Sequence, residues 1–113
     1  MDTLVERFKA LGDNNRLKIL TLLSESELCV CEIMEKTSLS QSVVSHHLKL
    51  LKNIKLIKSR KAGKWIFYSI DEENIKDFYK EVDNILRSFS KTPFIREDFC
   101  EDCDKIYRGG KSK

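Results

Sequence analysis

Four thiols, two adjacent imidazoles and a run of hydroxyls, amides and amines are the groups in this 113-residue chain whose types and spacing can do chemistry. Cys29 and Cys31 stand two apart, Cys100 and Cys103 form a C-x-x-C pair, and His46 and His47 are neighbours. Paired soft sulfurs point to a thiophilic metal or metalloid, or to thiol oxidation. On an ideal helix, residues two apart diverge by about 200°, so Cys29 and Cys31 share an ion only where the helix opens, as it can in its first turn. By pattern alone, one of them is equally well a small core hydrophobe. The C-x-x-C spacing occurs in zinc sites and in thioredoxin-like motifs, but the latter sit in a βαβ context that this chain lacks. Its acidic flank, Glu97, Asp98, Glu101, Asp102 and Asp104, disfavours the thiolate that redox catalysis needs and favours a nearby cation. An enzyme is therefore not expected. Adjacent histidines diverge by about 100° on a helix, and residues 72–90 contain no histidine to answer them. A zinc site built from imidazoles and carboxylates on that later segment is thus not expected.

Charge adds a second theme. From Lys36 to Ile70 there are eight basic residues, Lys36, Lys49, Lys52, Lys55, Lys58, Arg60, Lys61 and Lys64, and no acid, in a chain whose net charge is only +3. A basic centre between acidic flanks is the asymmetry expected when one surface meets a polyanion.

The elements that must position these groups follow from hydrophobic period and capping. Leu4, Val5, Phe8 and Leu11 recur at helical spacing, Gly12 stops that helix, and Asp13 caps a second through Leu17, Ile19, Leu20, Leu22 and Leu23. Ser24-Glu25-Ser26-Glu27 has the Ser-x-x-Glu spacing of a capping box and predicts a third helix starting around Glu25 to Leu28 and ending near Thr37-Ser38. A fourth opens at Ser40 or Gln41, with Val44, Leu48 and Leu51 inward and Gln41, Ser42, Ser45, His46 and Lys49 outward. From Leu56 the period changes to that of a β-hairpin turning at Ala62-Gly63. After Asp71, a helix carries an apolar seam of Ile75, Phe78, Val82, Ile85 and Phe89, ending by Thr92-Pro93.

Two helices, a short turn and a basic hairpin in that order are a winged helix-turn-helix, mainly α with a small β wing. Residues 1–92 form that domain with its terminal dimerisation helix, and residues 93–113 are a cysteine-bearing tail. Ser40, Gln41, Ser42, Ser45, His46 and Lys49 are assigned to DNA on the reading helix, and Arg60, Lys61 and Lys64 to phosphates near the hairpin tip. His47 is read as packing or contacting backbone. The seam, with Leu4 and Phe8, predicts a homodimer interface. The expected partners are double-stranded operator DNA and a second copy, with no membrane and no small organic substrate.

The segments LGDNNRLKIL, ELCVCEI, SQSVVSHHLKLL and RKAGKWIFYSI resemble the ArsR/SmtB family of winged-helix metal- and metalloid-responsive repressors over most of residues 4–70. Glu-Leu-Cys-Val-Cys, from Glu27 to Cys31, is similar to the ligand-bearing third helix of the arsenic-responsive branch. The resemblance implies a homodimer that sits on a palindromic operator and releases it on binding arsenic(III) or antimony(III), with cadmium, lead and zinc as further inducers. It also implies a third cysteine three residues after Cys31, where this chain has Met34. A thioether is a poor substitute for thiolate toward arsenic(III), so Cys100 and Cys103 join Cys29 and Cys31 as the candidate ligands. A redox-sensing regulator that uses the same thiols without metal remains the alternative.

Length and composition set the frame. At 13.2 kDa, 41% hydrophobic and 35% charged, with four glycines and one proline, the chain is expected to be one helical domain plus a tail. No apolar run reaches the roughly 20 residues of a membrane span, and the start MDTLVERFKALGD carries acids where a signal peptide would be basic and then apolar. A cytoplasmic address, with reduced cysteines, is the corresponding expectation.

Overall fold

The computed structural model describes residues 2–91, 101 and 102. Among the described residues five helices and three strands follow in the order α1 (Asp2–Leu11), α2 (Asn14–Glu25), β1 (Leu28–Cys29), α3 (Val30–Thr37), α4 (Gln41–Asn53), β2 (Ile57–Ala62), β3 (Trp65–Ile70) and α5 (Glu72–Ser90). The architecture is mostly helical with a small antiparallel sheet, as the sequence implied. Local chemistry sets most boundaries. Gly12 closes α1 by donating its N–H to the Phe8 and Lys9 carbonyls at 3.1 Å, and the Asp13 carboxylate then accepts from the Arg16 amide at 3.0 Å to start α2. Asp71 opens α5 in the same way through the Asn74 amide.

The third helix departs from the sequence-based expectation. The Ser24 hydroxyl, expected to begin a new helix, instead donates to the Thr21 carbonyl inside the last turn of α2. The chain then extends through Leu28 and Cys29, which pair with Tyr68 and Phe67 of β3. Helix α3 begins only at Val30, with Cys29 as its N-cap at φ −92° and ψ 172°. A capping interaction does occur, shifted by several residues: the Cys29 amide donates to the Glu32 carboxylate at 3.0 Å. Backbone pairing to β3 outcompetes the helix that Ser-x-x-Glu would have started. The sheet is therefore three-stranded, in the order β1-β3-β2, rather than a lone hairpin.

The core lies where α1 to α4 meet the base of the sheet. Ile19, Ile33, Val44, Leu48, Leu51, Leu56 and Ile57 are fully or almost fully buried. At the base of the wing Asp71 donates its amide to the Leu56 carbonyl at 3.0 Å, and Arg7 of α1, itself buried, donates to the Ile54 carbonyl at the end of α4 at 3.1 Å. Among the described residues no helix is long and apolar enough to cross a membrane.

Two residues assigned to a dimer interface serve the protomer's own interior. Leu4 and Phe78 are buried, because α1 and α5 fold against the same core. The other seam residues, with Tyr79 and Leu86 beside them on α5, form a graded surface. Ile75, Val82 and Ile85 are half-buried against the core, while Phe8, Tyr79, Leu86 and Phe89 are exposed, Phe89 by 75%. Phe8 meets Phe78 edge-on at 5.6 Å, beside an open apolar groove of about 460 Å³ that also involves Leu11, Leu20, Ile75 and Val82.

Ile33 is the fully buried anchor of the eight-residue α3. Ile33→Ala should lower unfolding free energy by about 2–5 kcal/mol, measured as a fall in the urea midpoint at unchanged slope.

Candidate nucleic-acid interface and thiol site

Helices α3 and α4 are joined by Ser38, Leu39 and Ser40. Ser38 takes the left-handed conformation, φ 63°, and donates its amide to the Met34 carbonyl at 2.8 Å, ending α3. Ser40 then caps α4, its hydroxyl accepting from the Val43 amide at 3.3 Å. That hydroxyl lies 3.3 Å from the Ser42 hydroxyl, so Ser40 orients the helix start as well as standing at its surface. Val44, Leu48 and Leu51 seat α4 in the core, leaving Gln41, Ser42, Ser45, His46 and Lys49 exposed on one polar face. This face carries donors, acceptors and one amine, the groups that meet base edges and phosphates in a major groove. His47 points the other way. Its Nδ1 is buried without a hydrogen-bond partner among the described residues, and burial pushes its pKa down, opposed by Asp13.

The wing turns at Gly63, φ 63°, with Lys61 and Lys64 exposed on either side. The Lys64 amine lies 5.7 Å from the centre of the Trp65 ring. Arg60 differs from its expected position at the tip. It pairs with Phe67 in mid-strand, stacks over that ring at 5.0 Å, and holds the Glu27 carboxylate through two hydrogen bonds, one from Nε at 2.9 Å. Its charge is thus partly satisfied within the protein. Lys52 and Lys58, counted in the basic run but given no role, are also exposed. Lys52 donates to the Ser59 hydroxyl at 2.8 Å and ties α4 to β2.

The cysteines come next. Cys29 is 8% exposed at the end of β1, and Cys31, in the first turn of α3, is exposed. Because Cys29 is extended rather than helical, the divergence of an ideal helix does not govern the pair. Both line one shallow depression of about 190 Å³, walled on the wing side by Lys64, Trp65, Ile66 and Tyr68. Sequence reasoning missed this wall, since only the β1–β3 pairing brings residues near 30 to residues near 66. Met34 packs against the core instead. Among the described residues no group of three or more cysteine, histidine or acidic side chains is placed to hold a metal ion. Cys100 and Cys103 lie outside the described residues. The two sulfurs present suit a thiophilic ion by donor type, and they supply two of the three that inorganic arsenic(III) prefers.

With this geometry in place, comparison with known proteins identifies the family. Residues 13–59, from the start of α2 into β2, match the family described as bacterial regulatory protein, arsR family. An arsenical resistance operon repressor of Staphylococcus aureus is 34% identical over 95 residues, covering 84% of this chain and 90% of that protein. The chain belongs to the arsR family. It is thus a DNA-binding regulator of transcription with a winged helix-turn-helix. A cadmium resistance regulatory protein CadC homolog from Staphylococcus aureus is 47% identical over 76 residues, 66% of this chain. The arsR-family chain spans 63% of that relative's length. Among solved structures, a homodimeric winged helix-turn-helix DNA-binding domain from Mycobacterium bovis, a possible ArsR-family regulator, superposes with a TM-score of 0.63 at 26% identity. That match covers 85% of this chain and 89% of the other.

The Glu27–Arg60 pair makes a prediction about pH. The hydrogen bonds from Arg60 hold the Glu27 pKa below the ordinary value of 4.5. A depressed acid contributes its stabilisation fully above that ordinary value and loses it as pH falls through the folded-state value. In an NMR titration, Glu27 should titrate below 4.5 in the wild type and move up toward it in Arg60→Gln.

Proposed function

We propose that this chain is a homodimeric repressor that holds a palindromic operator and releases it when a thiophilic ion binds Cys29 and Cys31. Arsenic(III) or antimony(III) is the inducer we favour, with cadmium, lead and zinc as other members of the class. One observation carries the reading: one thiol is at the N-cap and the other in the first turn of α3, the helix that leads directly into α4. When bound, the ion supplies sulfur–metal bonds strong enough to hold the two thiolates together. The chain's own residues do the rest. Bringing both sulfurs to one centre changes the first turn of α3, where Glu32 caps the Cys29 amide. That change reaches α4 through the three-residue turn and reaches the wing through the Cys29–Phe67 pairing.

The third sulfur is assigned to Cys100 or Cys103, from the same chain or across the dimer. The packing of Met34 against the core supports this assignment, as does the lack of a third cysteine at the pair among the described residues. The arsenical and cadmium names of the two relatives support the class of inducer. Dimerisation through α1 and α5 is supported by the exposed Phe8, Tyr79, Leu86 and Phe89 and by the homodimeric Mycobacterium bovis domain. On DNA, the polar face of α4 reads sequence, and Lys61 and Lys64 neutralise phosphates, with Arg60 contributing from its pair with Glu27.

The inducer assignment is tested by release of DNA on arsenite addition in Cys29→Ser, Cys31→Ser and the Cys100→Ser/Cys103→Ser double variant. Coupling of about 1–3 kcal/mol gives a 5- to 150-fold loss of operator affinity in the wild type. All three variants should lose the response to inorganic arsenite; full response in the tail variant would leave the tail without a role. The division of labour on DNA has its own readout. Gln41→Ala or Ser45→Ala should cost about 1–3 kcal/mol on the specific operator and relax preference at individual base pairs. Lys64→Ala should weaken specific and random DNA alike and reduce the salt slope by about one.

A further inference from the structure

Among the described residues Arg7 is the only polar or charged one that is buried, at 6% exposure. It stands between Leu4 and Ala10 on the inward face of α1, a place that an apolar side chain fills without the cost of desolvating a guanidinium. Three helices meet at it. Its Nε donates to the Ile54 carbonyl at the end of α4 at 3.1 Å, its Nη1 stands 4.0 Å from the half-exposed Glu81 carboxylate of α5, and its guanidinium carbon lies 6.0 Å from the centre of the Phe78 ring, also on α5. Among the described residues no other side-chain hydrogen bond or ion pair joins α1 to the end of α4 or to α5.

The end of α4 has its own use for such a partner. Leu56 and Lys55 close the helix by donating their amides to the Leu51 and Lys52 carbonyls at 3.1 and 3.0 Å, which leaves the carbonyl of the capping residue Ile54 for Arg7. Between Ile54 and Leu56, Lys55 takes the left-handed conformation, φ 62°, that favours glycine. The turn is thus held by its surroundings rather than by the preference of its own residues. A buried charged group is weak evidence of stability, because an apolar side chain of similar size often does as well, and its clearer use is to hold one geometry among several.

We propose that Arg7 is a positioning residue for DNA recognition, which ties the end of α4 to α1 and α5 and so sets the spacing and angle between the two reading helices of a homodimer. The inference rests on the homodimeric reading above. Helices α1 and α5 carry the apolar surface assigned to the second copy, and α4 carries the polar face assigned to the bases. The stiffness of the path between them decides whether two such faces stand in register with half-sites a helical turn apart. With play in that path either head still binds, but the pair no longer fits one duplex.

The test uses the full chain, reduced, as wild type, Arg7→Met and Arg7→Lys. Duplex DNA is the probe, in three forms: the inverted repeat that the wild type enriches from a pool of random duplexes, one half of it alone, and the repeat with two base pairs inserted at its centre, which turns one half away by roughly 70°. Met keeps much of the length and removes every hydrogen bond, so Arg7→Met should stay dimeric by sedimentation, keep its urea midpoint and bind the half-site as the wild type does. On the intact repeat it should bind roughly tenfold more weakly, the scale of one lost hydrogen bond to a charged group. Its affinity for the inserted repeat should change little, so the ratio between the two repeats collapses. Arg7→Lys, which keeps a donor but lacks the planar fork, should show an intermediate ratio. It carries the comparison alone if Arg7→Met does not fold, a wild-type ratio then overturning the proposal. Equal weakening on all three duplexes also overturns it, because that is the mark of a structural role. If the wild type enriches no inverted repeat, the homodimeric reading falls and this inference with it; an enriched repeat that all three chains rank alike overturns this inference only.

Discussion

Two backbone pairings, Leu28 with Tyr68 and Cys29 with Phe67, hold the arrangement of the whole molecule. They stop the chain from running from α2 into α3 as one helix. They fix the first residue of α3 in extended geometry, and they bring the wing against the thiols. Without them the two cysteines would stand on opposite sides of a regular helix. The Glu27–Arg60 pair reinforces the same junction from the residue before β1, reaching to β2 across β3. Both partners are well exposed, so the geometry of this ion pair matters more than its energy.

The polar face of α4 and the wing divide the basic segment between them. Lys49 and Lys52 extend from α4, and Lys61 and Lys64 flank the turn. Arg60 is different in kind, since its guanidinium serves Glu27 and Phe67 before it serves any phosphate. Any anion approaching Arg60 therefore competes with a carboxylate already in place.

Much of this was legible in the sequence where the signal was local. Gly12 and Asp13, Ser40, Gly63 and Asp71 mark element ends through interactions within a few residues, and each stands at the boundary its chemistry implied. The inward triad Val44, Leu48 and Leu51 and the outward polar face followed from helical period alone. What the sequence hid was non-local. Strand β1 is two residues long and exists because β3 is there to pair with it; no period can reveal so short an element, and a capping box at Ser24 was the stronger local signal. Glu27 and Arg60 lie 33 positions apart, and neither residue type announces the other. The burial of Leu4 and Phe78 was hidden for a related reason: an apolar seam does not say which of its members face the protomer's own core.

The strand order β1-β3-β2 also bears on how these molecules behave in a crowd. Strand β3, WIFYSI, is apolar, aromatic and uncharged, the composition that promotes edge-to-edge stacking between chains when its backbone is open. Here it is the middle strand, bonded on one side to all six residues of β2 and on the other to β1 over two. The outer strand β2, IKSRKA, carries three positive charges, and a matching edge from another molecule would meet them head-on. The opposite edge offers only two residues. In a wing with this composition the stickiest strand has no long free edge with which to recruit a neighbour.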